Sequence, residues 1–246
     1  MAGFECTFEE LDAIGDALRL NVRPFPFQFP VHGELVSDRL AVFRAAHDTL
    51  AAKGLIEGEH FSSSVSDLLP VFSRGAVAIA IVGSSDGLGL CVRAVTDGRL
   101  AVLAVEFGGG VRFSSVRPSS MVRAVVRLLP VVRAGSGGAV TVSSAPAASA
   151  ASGDLSGQRY MHAVRPAPSA REIVDRIMRR PRSGSGYMTV TVRSKSPLTL
   201  SWIDTDVGRY VALPSTDRDG RLKVTYAPAD RGILEQNLSR LVTRLT

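Results

Sequence analysis

Two stretches of the sequence carry residue types and spacings that could do chemistry. Residues 202–230, W-I-D-T-D-V-G-R-Y-V-A-L-P-S-T-D-R-D-G-R-L-K-V-T-Y-A-P-A-D, contain five aspartates, four of them in two D-x-D pairs. Paired carboxylates can bind a divalent cation or act as general acid and base. Residues 83–87, G-S-S-D-G, match the G-x-S-x-G pattern in which a hydrolase presents a nucleophilic serine, here Ser85.

The second D-x-D pair and the last aspartate lie where turns and caps are needed. Asp217 and Asp219 stand between two strand patterns, and Asp230 directly precedes the final helical pattern. An EF-hand loop beginning at Asp217 would need glycine at its sixth position and glutamate at its twelfth, where the sequence has Leu222 and Pro228. We therefore expect these three aspartates to form a turn and a helix N-cap.

The first D-x-D pair and the four histidines are the remaining candidates for metal ligands. Asp204 and Asp206 flank Thr205 at the end of a strand pattern, which favours an Asx turn there. The four histidines have no spacing typical of a metal site; they are His32, His47, His60 and His162. The sequence therefore predicts no metal, no cofactor and no catalytic residues.

The serine motif is predicted to be a hairpin turn rather than a nucleophile elbow. An elbow needs a strand before the serine and a helix after it. Here the residues that follow, L-G-L-C-V-R-A-V at 88–95, have a glycine inside and a β-branched ending, as in a strand. A serine hydrolase that uses Ser85 is therefore the second hypothesis for function, and labelling of that serine with a fluorophosphonate would support it.

The composition is that of a globular protein. Of the 246 residues, 45% are hydrophobic and 21% are charged, which allows one large core or two small ones. The N-terminus is acidic and has no apolar signal region, and the longest apolar run, at 76–82, is too short to span a membrane. We therefore expect a cytoplasmic protein without membrane insertion, in which Cys6 and Cys91 remain reduced.

The positive net charge is weak evidence for nucleic-acid binding. The net charge is +6, but 26 of the 29 basic residues are arginines spread along the chain, and only 6% of the residues are aromatic. The one basic cluster, R-I-M-R-R-P-R at 176–182, ends a predicted helix, where cations interact favourably with the last carbonyl groups. A nucleic-acid-binding module is therefore the third hypothesis, and we expect no nucleic-acid partner.

Hydrophobic periodicity predicts two rounds of helices followed by strands. Helices are expected from a capping box at Thr7, over about 37–53, from Ser64, from Pro118 to about Leu129, from Ser169 to Arg179, and from Asp230 onwards. Extended patterns occur at 76–82, 88–95, 100–107, 111–116, 139–144, 187–193, 198–204, 208–213 and 221–226. Short Gly- and Asp-containing turns join most of them, which is typical of antiparallel meanders.

An offset of 110 residues aligns the two rounds with each other. Gly98-Arg99 then falls on Gly208-Arg209, although the inward residues of the last strand are out of phase by one. We predict an α+β fold in a single domain over the whole chain. The domain would contain an internal pseudo-two-fold duplication into halves of about 1–130 and 131–246.

Six segments carry a resemblance to a known family. They are L-R-L-N-V-R-P-F-P-F-Q-F-P-V-H-G at 18–33, A-A-K-G-L-I-E at 51–57, G-G-A-V-T-V-S at 137–143, R-S-G-S-G-Y at 182–187, W-I-D-T-D-V-G-R-Y at 202–210 and V-T-Y-A-P-A-D at 224–230. Together they resemble the EspG family, the cytosolic chaperones of the type VII (ESX) secretion systems of mycobacteria and related actinobacteria. Residues 145–168 depart from the family pattern, because they are richer in Ala, Ser, Gly and Pro.

The resemblance implies both a fold and a function. The implied fold is a central antiparallel sheet flanked by two helical bundles. The implied function is not enzymatic: the chaperone binds the tip of the PPE subunit of a PE–PPE heterodimer and keeps that secretion substrate soluble until the ESX machinery takes it. We expect the protein itself to be a monomer or a weak homodimer.

Candidate partner-binding residues are drawn from the second meander and the helix before it. Aromatic residues and arginines are the side chains that most often dominate interfaces. The aromatic candidates are Tyr187, Trp202 and Tyr210, and the basic ones are Arg179, Arg180, Arg182 and Arg193. Core packing is an equal alternative for Trp202 and Tyr210, and solvated charges at a helix end are the alternative for the three arginines at 179–182.

Overall fold

A ten-stranded antiparallel sheet forms the centre of the computed structural model, which describes residues 3–31, 36–143, 168–216 and 218–246. The strands are β1 Gly3–Thr7, β2 Ile56–Glu57, β3 His60–Phe61, β4 Val77–Ser85, β5 Leu88–Thr96, β6 Ala101–Phe107, β7 Gly110–Val116, β8 Val140–Ser143, β9 Arg182–Val192, β10 Leu198–Thr205, β11 Gly208–Thr216 and β12 Leu222–Pro228. Their order in the sheet is β1-β7-β6-β5-β4-β9-β10-β11-β12-β8, and β2 and β3 form a separate hairpin. The predicted antiparallel α+β fold is confirmed.

The helices also follow the prediction closely. In the described part of the chain they are α1 Phe8–Leu18, α2 Val36–Ala52, α3 Ser63–Arg74, α4 Met121–Val126, α5 Ala170–Met178 and α6 Arg231–Leu245, and a 3-10 turn at Pro118–Ser120 precedes α4. Helix α4 ends earlier than predicted. The carbonyl oxygens just beyond it, on Leu129 and Pro130, accept hydrogen bonds from Arg231 and Arg209 instead of serving a longer helix.

Three strands were not predicted. Strand β1 lies at one edge of the sheet, beside β7, where the rings of Phe4 and Phe113 stack 4.8 Å apart. Strands β2 and β3 have two residues each, too few to show a period of two. Residues 145–167 of the segment that departs from the family pattern lie outside the described residues, as do His32, His162 and Asp217.

The capping box at the start of α1 is confirmed, and its glutamate also forms a partly buried ion pair. Glu10 N donates to Thr7 Oγ1 at 3.2 Å, and Thr7 N donates to Glu10 Oε2 at 2.8 Å. Lys53 Nζ, at the end of α2, donates to the same carboxylate at 2.7 Å. Burial alone would raise the pKa of Glu10, but the hydrogen bonds from Lys53, Thr49 and Thr7 outweigh it and lower that pKa. The cap thus joins the first two helices.

The two faces of the sheet pack against different helices. Successive residues of a strand point to opposite faces. Ala78 belongs to the core under α1 and α3, with Leu11 and Phe72, whereas Ile79 and Ile81 belong to the core under α4 and α6. Each sheet face therefore has its own core, and no single core spans both.

In the middle of the sheet, where β4 pairs with β9, two glycines leave space for one large side chain. Trp202 on β10 is fully buried, and a Cβ atom added to Gly186 would lie 2.3 Å from Trp202 Cη2. A Cβ added to Gly83, which faces Gly186 across the β4–β9 pair, would lie 2.7 Å from the same atom. Two opposed glycines therefore make the space that the indole occupies.

We expect Gly186→Ala to destabilise the protein by about 3 kcal/mol, because the added methyl group must displace the indole or separate the strands. Gly89→Ala is the matched control: Gly89 also lies in a strand, but no atom lies within 4 Å of its added Cβ. Urea unfolding of both variants measures the difference. Equal midpoints for the two variants would show that the indole is not held by the glycines.

Candidate functional site

The most buried charged group of the described residues lies in the aspartate-rich segment. Arg209, on β11, donates from Nε to Asp204 Oδ1 at 2.6 Å and from Nη2 to Asp204 Oδ2 at 2.8 Å. The two side chains are 0% and 1% exposed. They face each other directly across the β10–β11 pair. This two-pronged arrangement is the strongest geometry that a carboxylate and a guanidinium can adopt.

Arg209 also connects the sheet to the segment that follows α4. Its Nη2 donates to Pro130 O at 3.2 Å, its backbone N donates to Arg133 O at 2.8 Å, and its backbone O accepts from Gly135 N at 2.9 Å. The same backbone O accepts from Ala229 N at 3.0 Å, just before α6. Asp204 therefore neutralises the guanidinium of a residue whose backbone makes most of these connections, and this pairing leaves the carboxylate unavailable as a catalytic or metal-binding group.

The prediction of an Asx turn at Asp204 is wrong. The turn between β10 and β11 is made by Thr205, whose Oγ1 donates to Gly208 O at 2.8 Å and accepts from Val207 N at 3.3 Å. Asp206 is one of the two residues of the turn, but its carboxylate does not close it: both oxygens accept from Arg180 Nη1, at 3.2 and 3.0 Å. Local sequence could not show that Arg209 folds back opposite Asp204.

The roles predicted for the later aspartates agree with the structure where it describes them. Asp230 caps α6, since its Oδ1 accepts from Ile233 N at 2.8 Å. Asp219 lies in the turn between β11 and β12, which passes through Gly220 at a φ of 76°. Across the described part of the chain, no three His, Cys, Asp or Glu side chains are grouped so that they could hold a metal ion.

Neither the serine motif nor the cysteines form an activated nucleophile. Ser85 is the last residue of β4, and Asp86 and Gly87, with φ of 50° and 80°, turn the chain directly into β5. The predicted hairpin is confirmed, and no helix follows the serine as an elbow requires. Cys6 and Cys91 are unbridged. Burial raises the pKa of both thiols, that of Cys91 to about 12 with help from Glu106, so both are thiols near neutral pH.

Two of the candidate partner-binding residues lie in the core. Trp202 is 0% exposed and Tyr210 is 3% exposed. The Tyr210 hydroxyl donates to Ser136 O at 2.9 Å, which holds the segment after α4 against β11. Neither side chain is available on the surface, so the structure favours the packing alternative for both. Sequence could not decide this, because amphipathic aromatic side chains suit cores and interfaces alike.

Tyr187 is the aromatic candidate that reaches solvent. It is 37% exposed on β9, between Val82 on β4 and Ser201 on β10. Its neighbour Met188 is buried under α6, so Tyr187 points to the opposite face of the sheet. Beside it, Thr189 and Thr199 are joined by a hydrogen bond of 3.0 Å. An aromatic ring with hydroxyl groups around it can bind both apolar and polar groups of a partner.

The arginine candidates lie at the two ends of β9. Arg179, Arg180 and Arg182 cluster at its start, where Arg180 pairs with Asp206 and Arg182 donates to Met178 O at 3.0 Å. A cleft of about 480 Å³ opens there, and Arg179 and Arg180 line it together with Glu172 and Asp175. Arg193, just beyond the other end of β9, donates to Arg74 O at 3.1 Å at the end of α3. Tyr187 lies between the two groups, which are thus about 35 Å apart along the strand.

Comparison with known proteins found a matching family model and a similar solved structure. The family model described as the EspG family matches residues 7–240. No curated protein matches the sequence. A solved structure of the Mycobacterium tuberculosis type VII secretion system chaperone EspG5, in complex with a PE25-PPE41 dimer, is 12% identical and superimposes with a TM-score of 0.62 over 99% of this chain and 96% of that one. Within the described residues, no helix is long and apolar enough to cross a membrane.

We expect Asp204→Ala to lower the free energy of unfolding by about 3–5 kcal/mol, because it leaves the Arg209 guanidinium buried without a counter-charge. Asp206→Ala removes the same carboxylate two residues away, from an exposed pair, and should cost about 1 kcal/mol or less. Urea unfolding of the two variants measures the contrast. A similar loss in both would contradict a central role for the buried pair.

Proposed function

Since the chain belongs to the EspG family, we propose that it is a chaperone of a type VII secretion system. It binds a PE–PPE heterodimer through the PPE subunit, keeps that substrate soluble and delivers it to the ESX machinery. The observation that carries the proposal is the match of the family model to residues 7–240, which is almost the whole chain. The similar solved structure, in which EspG5 is in complex with a PE25-PPE41 dimer, agrees with it.

The proposed role is binding without catalysis. It needs no cofactor and no nucleic acid, it takes place in the cytoplasm without membrane insertion, and the chaperone acts as a monomer or a weak homodimer. The geometry of the two candidate catalytic motifs supports this role: Asp204 is paired with Arg209, and Ser85 ends a strand at a hairpin turn. The tip of a helical partner exposes unpaired helix-end groups and apolar residues, which a sheet face with polar and aromatic side chains can cover.

The proposed binding surface centres on Tyr187 and extends to the ends of β9. Tyr187 supplies an exposed ring on a sheet face, and Arg179, Arg182 and Arg193 are exposed guanidinium groups near that strand. Arg180 also belongs to the proposed binding surface, where it stays paired with Asp206. Trp202 and Tyr210 act indirectly, because they fix the strands on either side from within the core.

We also propose that the single domain arose by duplication of halves near 1–130 and 131–246. The strand order supports this, since each half supplies a four-stranded meander and one edge strand. Ala101 faces Val116 in one meander and Val211 faces Ala227 in the other, so the first partners are 110 residues apart and the second partners 111. That difference accounts for the out-of-phase residues in the last strand. Helices α1–α3 would form one flanking bundle, and α5 would belong to the other.

Co-expression with the PE–PPE pairs of the same genome tests the proposed function. We expect one pair to co-purify with the chaperone as a stable complex on size-exclusion chromatography, because the chaperone covers the exposed tip of the PPE subunit. Failure to form a complex with any pair, when both partners are soluble, would reject the proposal.

In that complex, Tyr187→Ala should weaken binding by about tenfold or more, because a central aromatic ring is typical of an interface hot spot. Phe107→Ala is the matched control, since Phe107 is an aromatic residue of nearly equal exposure, 38%, at the end of β6. Isothermal titration calorimetry with the purified heterodimer measures both affinities. Full affinity of the Tyr187 variant would remove this residue from the binding surface.

A further inference from the structure

A groove lined by four arginines lies beside α4, away from the proposed surface around Tyr187. Its volume is about 760 Å³. Arg99 comes from the turn before β6, Arg117 follows β7, and Arg123 and Arg127 come from α4 and its end. We call it the arginine groove. All four side chains are exposed, so their charges face solvent.

Little in the described structure neutralises this charge. Arg123 Nε lies 3.3 Å from Glu235 Oε1, a pair at the rim. Arg99, Arg117 and Arg127 have no carboxylate within ion-pair distance among the residues that the structure describes. The acid closest in sequence is Asp97, whose Oδ1 already accepts from the backbone N of Arg99 at 2.8 Å and of Leu100 at 2.9 Å. Three exposed guanidinium groups thus share one concave surface without a salt bridge to the described residues, and only Arg99 is near a carboxylate, that of Asp97.

The helix dipole explains only part of this arrangement. Arg123 and Arg127 lie near the end of α4, where cations interact favourably with the last carbonyl groups. Arg99 and Arg117 lie on strand ends and have no such partner. At the offset of 110, Arg99 corresponds to Arg209, which is buried and neutralised by Asp204. Arg99 itself is exposed and forms no salt bridge with the described residues, so it can contact an external anion.

The rest of the lining indicates what kind of anion would bind. Leu100, Val116, Pro118 and Ala124 contribute apolar surface between the arginines, and none of the residues that line the groove is aromatic. Nucleic-acid bases would need aromatic rings for stacking, whereas a peptide that carries both carboxylates and apolar side chains matches the lining. Guanidinium groups bind carboxylates with two parallel hydrogen bonds.

We infer that the arginine groove is a docking surface for an acidic, partly apolar peptide segment of a second partner protein. Helix α4 packs on the sheet face opposite to the one to which Tyr187 points. A partner in the groove and a substrate on the Tyr187 face can therefore be bound at the same time. This inference does not depend on the identity of the substrate.

Fluorescence anisotropy with a short labelled peptide of alternating glutamate and leucine tests the inference on the full chain. We expect saturable binding that weakens with salt, and a loss of about tenfold or more in the double variant Arg117→Ser/Arg127→Ser. The double variant Arg171→Ser/Arg176→Ser removes the same net charge from exposed positions on α5 and should bind like the parent. Thermal unfolding checks that both variants are folded.

Three outcomes would overturn the inference. The first is that the glutamate peptide fails to bind the parent protein, and the second is that the two double variants lose the same affinity for it. The third is that a peptide with glutamine in place of glutamate binds as tightly as the glutamate peptide. Tighter binding of duplex DNA, or of phosphatidylglycerol vesicles, that is lost in the Arg117→Ser/Arg127→Ser variant would assign the groove to those ligands instead. A failure of PE–PPE complex formation by the parent chain would leave these results unchanged, so the two proposals are tested separately.

Discussion

One buried guanidinium joins segments that lie far apart in the sequence. The side chain of Arg209 is neutralised by Asp204 across the β10–β11 pair and also donates to the carbonyl group of Pro130. Its backbone adds hydrogen bonds to Arg133, Gly135 and Ala229. Without the carboxylate, a charge with no access to water would remain in the core, which costs more than most single contacts. The carboxylate therefore stabilises the contact between β11 and the segment that follows α4.

That contact determines which residues are left to meet a partner. Trp202, on β10, fills the space between the sheet and the helices, and Gly83 and Gly186 leave room for its indole. Tyr210, on β11, is buried against the segment after α4, where its hydroxyl donates to Ser136 O. Tyr187, on the neighbouring strand β9, points to the face opposite to Trp202 and stays partly exposed. A rigid sheet presents such a ring with little loss of conformational entropy on binding, which suits the proposed binding role.

The sequence predicted the parts of the fold that depend on neighbouring residues. The cap at Thr7, the hairpin at Asp86-Gly87 and the N-cap at Asp230 all rest on contacts between residues no more than three or four positions apart. The D-T-D-V-G-R-Y stretch was recognised as characteristic of the EspG family, but its chemistry was not: Asp204 was assigned to a turn. Its partner is five residues away, and only the hairpin register places the two side chains on one face.

The burial of two of the candidate aromatic residues could not be predicted from the sequence, for a different reason. Periodicity along β10 and β11 shows which residues share a face, but not what covers that face, because the covering elements come from distant parts of the chain. Trp202 lies in the core under α4 and α6, and Tyr210 lies against the segment at Gly135 and Ser136. The most direct test of the account is photo-crosslinking in the complex with a PE–PPE heterodimer, with benzoylphenylalanine placed at position 187 or, in a second protein, at position 107. The account predicts a crosslink from position 187 to the PPE subunit and none from position 107; crosslinks from position 107 alone would contradict it.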